Sequence, residues 1–419
     1  MPINQTTMYF FSKYKKIILI AGFAIVIFIL GYLLYVLFFK PSAYIPVETE
    51  PEATTTQAGL PEAKTGSGQI IEPGGQEVFP TTQAGEVKKT SEVANGGLTQ
   101  TTQLNQSPSS GITLSSNGSD LQYHDAIDGK FYRITKDGEI FALTDKIFHN
   151  VSDITWSPDK NKAILEYPDG ANIIYDFTND KQVTLPKHWK DFDFSPDGDQ
   201  LVIKSMGLDL ENRWLAISNS DGSKTQAIEA LGDKDDTVYP AWSPNNQVIA
   251  LYTEGIDFNR QEVFFIGLND ENFKSAVIEG RGFQPKWSPQ GDRLLYSVYS
   301  NDNDLKPMLW IVEAQGDNIG NNRKKLNLET WADKCTFASD YELYCAVPES
   351  LEEGAGLFPE LAKNTSDILY KVNTRTGAKK LVAVPDGAYN MSNLIISDNG
   401  YYLYFTDETT EEIYKIKLK

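Results

Sequence analysis

Cysteine and histidine are the scarcest chemically active residues in this chain. Its 419 residues include two cysteines, Cys335 and Cys345, and three histidines. Two cysteines are too few for a disulfide-rich scaffold or a cysteine-based metal cluster. The G-x-S-x-G, phosphate-loop, G-x-G-x-x-G and H-E-x-x-H motifs that mark common active sites are also missing from the sequence. The sequence therefore predicts no catalytic residue, no metal ligand and no cofactor.

The chain has fewer positively charged than negatively charged residues. Lysine and arginine number 38 against 57 aspartates and glutamates, which gives a net charge of −19 at pH 7. A surface with this excess of negative charge repels the phosphate backbone of nucleic acids. We therefore expect no nucleic-acid partner.

One segment has no charged residue at all. Residues 17–39 read IILIAGFAIVIFILGYLLYVLFF, and about 20 apolar residues suffice for a helix to cross a bilayer. Lys13, Lys15 and Lys16 precede this segment, whereas only Lys40 follows it closely. The positive-inside rule then predicts a single-pass protein of the cell membrane, with residues 1–16 in the cytoplasm and everything after the helix outside. A cleaved signal peptide is the alternative, although its apolar region is normally shorter.

Aromatic residues almost disappear from the next stretch. Residues 40–120 are rich in Thr, Gln, Gly, Ser, Pro and Glu, and their only aromatics are Tyr44 and Phe79. Such a segment buries too little apolar surface to offset its chain entropy. The composition predicts a disordered linker over residues 40–120.

From residue 121 onward, short alternating runs are separated by turn residues. In one recurring signature a strand ends in an aromatic residue and is followed by a Ser-Pro-Asp-Gly-like turn and a second strand. It occurs at 154–167, 192–205, 240–253 and 285–298, with degenerate copies at 335–347 and 393–406. A period of about 40–50 residues with several short strands per repeat is typical of a β-propeller. The sequence predicts an all-β domain over residues 121–419, a propeller of six or seven blades.

The turn sequences WSPDK, FSPDG, WSPNN and WSPQG at 156–160, 194–198, 242–246 and 287–291 resemble the WSPDG-like repeats of the TolB-type β-propeller family of bacteria. They are also WD-repeat-like. The resemblance covers about residues 121–419 and implies a binding scaffold. This chain has the apolar segment 17–39 in place of the α/β domain that precedes the TolB propeller, so a role in the Tol system is not carried over.

The longest predicted loops fall on one face of the propeller. Loops between the second and third strands of a blade are long at 206–213, 254–261, 299–307 and 348–366, and insertions on one face usually mark a binding face. We predict that this face binds a protein, peptide or glycan of the cell envelope. The candidate contact residues are Arg260, Leu357 and Phe358, together with one aromatic from each predicted loop between blades, namely Phe148, Trp189, Tyr239, Phe283, Trp331 and Tyr389. Packing of these aromatics between blades is the alternative.

A propeller-type hydrolase or lyase is the alternative function. Such an enzyme would use acidic residues or a metal in the central channel. His188 lies close in sequence to Asp191 and Asp193, but a metal site needs more convergent ligands than this. An interaction scaffold is therefore the leading hypothesis.

The two cysteines lie on neighbouring strands of one degenerate repeat. If the turn centres near Asp340, Cys335 and Cys345 stand directly opposite each other and point to the same face. We predict a disulfide between them, which the predicted extracytoplasmic compartment permits. Two buried free thiols are the alternative, since a one-residue shift in register would separate them.

Overall fold

The computed structural model describes residues 89–269 and 271–419, together with seven helical positions between residues 23 and 32. None of the helices in these described parts combines the length and the apolar character that a membrane crossing requires. The predicted cytoplasmic segment 1–16, the transmembrane helix 17–39 apart from those seven positions, and residues 40–88 of the predicted linker lie outside the described residues.

Strands account for nearly all regular structure in residues 89–419. The N-terminal strands are β1 (Leu98–Thr99) and β2 (Thr101–Gln103). Blade 1 consists of β3 (Ser109–Leu114), β4 (Leu121–Asp125), β5 (Phe131–Ile134) and β6 (Ile140–Ala142). Blade 2 consists of β7 (Asp153–Trp156), β8 (Lys162–Glu166), β9 (Asn172–Asp176) and β10 (Lys181–Leu185). Blade 3 consists of β11 (Trp189–Phe194), β12 (Gln200–Met206), β13 (Arg213–Asn219) and β14 (Gln226–Ala230).

The remaining blades repeat this order. Blade 4 consists of β15 (Val238–Pro240), β16 (Val248–Asp257), β17 (Arg260–Gly267) and β18 (Ala276–Glu279). Blade 5 consists of β19 (Arg281–Trp287), β20 (Arg293–Tyr299), β21 (Pro307–Glu313) and β22 (Lys324–Lys325). Blade 6 contains β23 (Cys335–Ser339), β24 (Glu342–Pro348), β25 (Asp367–Asn373) and β26 (Lys379–Pro385). Blade 7 contains β27 (Met391–Ile396), β28 (Tyr402–Asp407) and β29 (Ile413–Lys417). Five 3₁₀-helices lie in connections, at Leu210–Asn212, Asp235–Thr237, Asn301–Asn303, Gly316–Asn318 and Pro359–Ala362.

These seven sheets form a seven-bladed β-propeller. Of the two predicted blade numbers, six and seven, seven is therefore correct. The first strand of each blade lies innermost: β7 contacts β3 and β11, and β27 contacts β23 and β3. Successive strands within a blade are antiparallel. The connections therefore alternate between two faces. We call the face with the second-to-third and blade-to-blade connections the loop face, and the opposite one the turn face.

A buried serine fixes the turn between the first and second strands. Ser157 Oγ donates to Asp159 Oδ1 at 2.5 Å and accepts the N–H of Lys162 at 3.0 Å. The same hydrogen bond, from the N–H of the residue five positions ahead to the serine Oγ, recurs at Ser195, Ser243, Ser288 and Ser397. Each hydroxyl thus holds the start of the second strand against its own turn, which explains why serine recurs in the signature.

Aromatic residues at the ends of the inner strands join neighbouring blades. Trp156 Nε1 donates to the carbonyl of Gly111 at 2.6 Å, and Trp287 Nε1 donates to the carbonyl of Ala241 at 3.0 Å. Gly111 has a φ of +57°, and a Cβ there would meet Ile154 at 2.7 Å. The blade interface therefore requires glycine at this position.

The ring closes through the N-terminal strands. β2 pairs antiparallel with β29 and supplies the fourth strand of blade 7, with Thr101 opposite Ile416 and Gln103 opposite Tyr414. β1 pairs parallel with β26 as a fifth strand of blade 6.

The propeller therefore begins well before residue 121, and the predicted linker boundary is wrong for residues 98–114. β1 and β2 are short and polar, and their backbones pair with strands distant in sequence. β3 pairs with the adjacent strand β4, and only Ile112 and Leu114 of its six residues are large apolar side chains. Their composition for this reason resembles that of a linker.

Cys335 and Cys345 are direct cross-strand partners on β23 and β24. Their sulfurs are bonded at 2.12 Å, and both residues are fully buried beside Leu343 and Val372. The disulfide closes a loop of ten residues in the inner half of blade 6.

Removal of the closing strands is expected to prevent folding. A fragment of residues 89–419 should unfold cooperatively in urea, whereas a fragment of residues 121–419 lacks β1, β2 and β3 and leaves β29 with a free edge. We expect the shorter fragment to aggregate or to lack a cooperative transition, as measured by circular dichroism and gel filtration. A cooperative, monomeric 121–419 fragment of equal stability would contradict this closure.

Reduction of the disulfide should lower the free energy of unfolding by about 2–3 kcal/mol, because the short loop gains entropy in the unfolded chain. Urea denaturation with and without reductant measures the difference. The double variant C335A/C345A is the control and should be insensitive to reductant. Identical transitions of the native protein under both conditions would argue against a stabilising bond.

Candidate interaction face

The six predicted aromatics begin or precede inner strands at the loop face, but most of them point into the fold. Phe148, Trp189, Phe283 and Trp331 are buried, with exposed fractions of 3–7%. Phe148 packs edge-on against Tyr175 at 4.8 Å between ring centroids. Phe148, Trp189 and Phe283 pack between blades, as the alternative interpretation of the pattern expects. Trp331 packs instead under the loop between β24 and β25. None of the four is available as an exposed contact.

Tyr239 and Tyr389 are half-buried. Tyr239 contacts Phe283 at 5.8 Å, and Tyr389 contacts Phe405 at 5.6 Å. Their rings therefore belong to the walls between blades, and only part of each is open to solvent.

Other apolar side chains are exposed on the loop face. They come from the connections of several blades: Ile127, Ile147, Leu208, Leu210, Ile256, Phe258, Leu357, Phe358 and Leu361. Exposed apolar residues that gather on one face are typical of interaction surfaces. We call these nine residues the apolar loop set.

Only Leu357 and Phe358 of this set were predicted. A sequence signal for others exists, because two loops share the pattern Gly-apolar-Asp-apolar at 207–210 and 255–258. An apolar pair in a short loop between two strands has no blade interior to enter, so it remains outside.

The loop between β24 and β25 is built as a rigid platform. The N–H groups of Gly354 and Gly356 donate to the carbonyls of Asp304 and Leu305 of blade 5, each at 2.8 Å. A Cβ on Gly356 would lie 2.6 Å from Tyr299 Cβ, so the close approach of the two loops needs glycine there.

Buried residues also hold this loop in place. Ala355 and Ala362 are buried against Trp331. Above them Phe358 is 58% exposed, and Leu357 and Leu361 are 39% and 42% exposed. The buried residues hold the backbone while these three side chains face solvent.

Carboxylates surround this apolar platform. Residues 349–363 carry Glu349, Glu352, Glu353 and Glu360 against Lys363 alone. The local surface therefore combines apolar contacts with negative charge.

The loop is also secured by a buried ion pair near its end. Lys334 Nζ lies 2.8 Å from Asp367 Oδ2 and donates to the carbonyl of Met391 at 3.1 Å. Asn390 Nδ2 donates to the carbonyl of Lys363 at 3.1 Å. Burial raises the pKa of Asp367 to about 6, although the Lys334 charge opposes this.

A groove lies between blades 4 and 5 beside the predicted contact Arg260. Its volume is about 570 Å³, and its lining includes Phe258, Met308 and Trp310. Arg260 is exposed at the rim, where its guanidinium pairs with Asp257 at 2.7 Å. The groove joins an apolar wall to charged groups and opens toward the loop face.

Carboxylates also meet beside the central channel. Asp153 and Glu166 are direct cross-strand partners in blade 2. Burial, followed by the charges of Asp153 and Asp191, raises the pKa of Glu166 to about 7. Asp191 is itself paired with Lys204 at 2.6 Å. Within residues 89–269 and 271–419, no three His, Cys, Asp or Glu side chains are placed to hold a metal ion together.

His124 is buried in blade 1, where its Nε2 lies 2.8 Å from the carbonyl of Phe148. Burial lowers the pKa of its imidazole.

Comparison with known proteins shows no family for this chain. No protein-family model matches this chain, and no curated protein matches it. Among solved structures, an oligogalacturonate lyase in complex with manganese is 14% identical over 76% of this chain and 89% of that chain, with a TM-score of 0.48.

Two other propeller proteins show a similar likeness. The β-propeller domain of Cps50 (Swd1) from Myceliophteria thermophila is 11% identical over 76% of this chain and 100% of that chain, with a TM-score of 0.49. The tricorn protease is 10% identical over 79% of this chain and 34% of that chain, with a TM-score of 0.48. Identities this low carry no information about activity or ligand.

The raised pKa of Glu166 predicts a stability that depends on pH. In the folded chain this carboxyl holds its proton up to about pH 7, compared with an ordinary value of 4.5. The contribution of protonated Glu166 to the free energy of unfolding is therefore complete below about pH 4.5 and is lost as pH rises through 7. Glu166→Gln should stabilise the protein by about 1–2 kcal/mol near pH 8 and by much less near pH 5.

Urea denaturation of both proteins at the two pH values measures this effect. Glu139→Gln, which removes an exposed carboxylate from a turn-face connection, is the matched control. An equal difference between wild type and Glu166→Gln at both pH values would refute the assignment.

Proposed function

We propose that this protein is a membrane-anchored, extracytoplasmic interaction scaffold of the TolB-type propeller class. The observation that carries the proposal is the apolar loop set, which several blades present on one face. Residues 17–39 provide the anchor, with the N-terminus in the cytoplasm. The −19 net charge suits a soluble domain that does not bind nucleic acid.

The loop platform suggests the chemistry of the partner. Its aliphatic and aromatic side chains favour a protein or peptide that has apolar residues of its own. The four glutamates around them favour a partner with lysine or arginine at the rim of the contact. Opposite charges at the rim speed association and suppress wrong partners.

A glycan is a weaker fit to this platform. Sugars are bound by aromatic faces flanked by polar side chains, and here aliphatic residues dominate. The groove beside Arg260, with Trp310 in its wall, is the part of the loop face best suited to a sugar. We propose a protein or peptide as the principal ligand of the face as a whole.

The alternative of a hydrolase or lyase depends on the carboxylates beside the channel. Glu166, a carboxyl with a raised pKa, lies directly opposite the carboxyl of Asp153, and such a pair can serve general acid–base chemistry. Two carboxylates alone do not define a reaction, whereas exposed apolar side chains of several blades share the loop face, so we favour binding.

Exchange of exposed apolar residues on the platform tests the proposal. In intact cells, a membrane-impermeant lysine crosslinker should link the full-length protein to its partner. The double variant Leu357→Ser, Phe358→Ser should reduce capture by roughly tenfold, equivalent to about 1.4 kcal/mol. Both side chains are exposed, so the fold should be retained. Deletion of the loop would be a poorer test, because it would uncover Trp331.

Phe141→Ser is the matched control, since Phe141 is a similarly exposed aromatic (46%) on the outermost strand of blade 1. Capture should be unchanged in this variant. Equal capture by all three proteins would refute the platform as a binding site. A propeller that does not react with the impermeant reagent would refute its extracytoplasmic location.

A further inference from the structure

A second cavity lies on the turn face, between blades 5 and 6 and away from the apolar loop set. Its volume is about 470 Å³. Four cationic side chains line it, namely Arg293, Arg323, Lys324 and Arg375. The carboxylates in its lining are Asp292 and Glu313. The cavity lining thus has more positive than negative side chains, whereas the chain as a whole carries a net charge of −19.

Two of the cations are already neutralised by neighbours. Arg293 pairs with Asp292 at 3.4 Å and also donates to the carbonyl of Asp340 at 3.2 Å. Arg323 pairs with Glu279 at 3.4 Å. Glu313 accepts a hydrogen bond from Asn322 at 2.8 Å.

Lys324 and Arg375 have no such partner. In the part of the chain that the structure describes, neither side chain has a carboxylate within 4.0 Å. Lys324 Nζ donates to the backbone carbonyl of Arg375, which brings the two positive groups to the same wall. Their charges remain available to an anion.

Tyr341 holds the guanidinium groups in place. Arg293 lies 4.0 Å from the centroid of its ring, and Arg375 lies 3.9 Å from it. Cations gain from such contact with an aromatic face. The nearby guanidinium of Arg375, followed by that of Arg293, lowers the pKa of the Tyr341 hydroxyl. The potential at this wall is therefore positive.

We propose that this cavity binds a small hydroxylated molecule that carries one oxyanion, that is, an acidic sugar with a carboxylate or a phosphate. Arg375 and Lys324 bind the oxyanion, since a guanidinium offers two parallel N–H donors to such a group. Asp292 and Glu313 accept hydrogen bonds from the hydroxyl groups. The volume lies within the range of about 300–1,000 Å³ found for small-molecule sites and exceeds what a bare phosphate ion fills.

Isothermal titration of the full chain with glucose 6-phosphate, glucuronate, glucose and inorganic phosphate tests the proposal. We expect saturable binding of glucose 6-phosphate or glucuronate, and whichever of the two binds identifies the oxyanion. Arg375→Gln should weaken this binding by at least about tenfold. Arg375 is exposed, so the variant should fold.

Lys181→Gln is the control, because it removes one exposed positive charge from the outermost strand of blade 2. Its affinity should equal that of the native protein. The proposal is overturned if neither acidic sugar binds saturably, if Arg375→Gln binds as tightly as Lys181→Gln, or if glucose binds equally well. Binding of inorganic phosphate as tight as that of glucose 6-phosphate would also overturn the sugar assignment. None of these results depends on the loop face.

Discussion

Closure of the ring by a strand from the other end of the domain is the constraint on which the rest of this structure depends. Inner strands of neighbouring blades contact each other around the channel, as β11 does with β15 and β23 with β27, so blades are positioned by those beside them. Blade 7 supplies only three strands of its own, and the fourth is β2.

The contact between the N-terminal segment and blade 7, which we call the seam, extends beyond β2. Asn105 Oδ1 accepts the N–H of Ile413 at 2.8 Å. The backbone N–H of Ala94 donates to the carbonyl of Lys417, and the backbone N–H of Ser109 donates to the carbonyl of Glu411. Backbone groups on both sides are thereby satisfied where an open edge would otherwise invite pairing with another chain. The loops that carry the apolar loop set hold fixed positions relative to one another only because this seam is closed.

Local patterns in the sequence predicted local structure well. The Ser-Pro-Asp-Gly-like turns at Ser157 and Ser195 are set by contacts within a few residues, so their recurrence identified the propeller. The seam could not be found in this way, because Thr101 and Ile416 are partners across nearly the whole domain. The first repeat, with Leu114 and Ser115 before its turn, was also too degenerate to stand out from the polar segment before it.

The candidate sites were predicted less completely for a related reason. Sequence spacing placed Phe148 and Trp331 at the correct ends of the correct strands, but their direction depends on the neighbouring blade. The cavity on the turn face joins Arg293 and Arg375, which are 82 positions apart, around the ring of Tyr341. Only the packing of two blades brings those three side chains together.

The position of β1 and β2 at the outer edges of blades 6 and 7 has a mechanical consequence. Tension that enters the domain through its N-terminal side acts on the contact of Ala94 with Lys417, then on β1, which has two residues paired with β26, and then on the three residues of β2. The strand that locks the ring is therefore among the first elements to bear the load. A pull that stripped β2 from β29 would open blade 7, so the resistance of the domain to force depends on these few contacts at its edge.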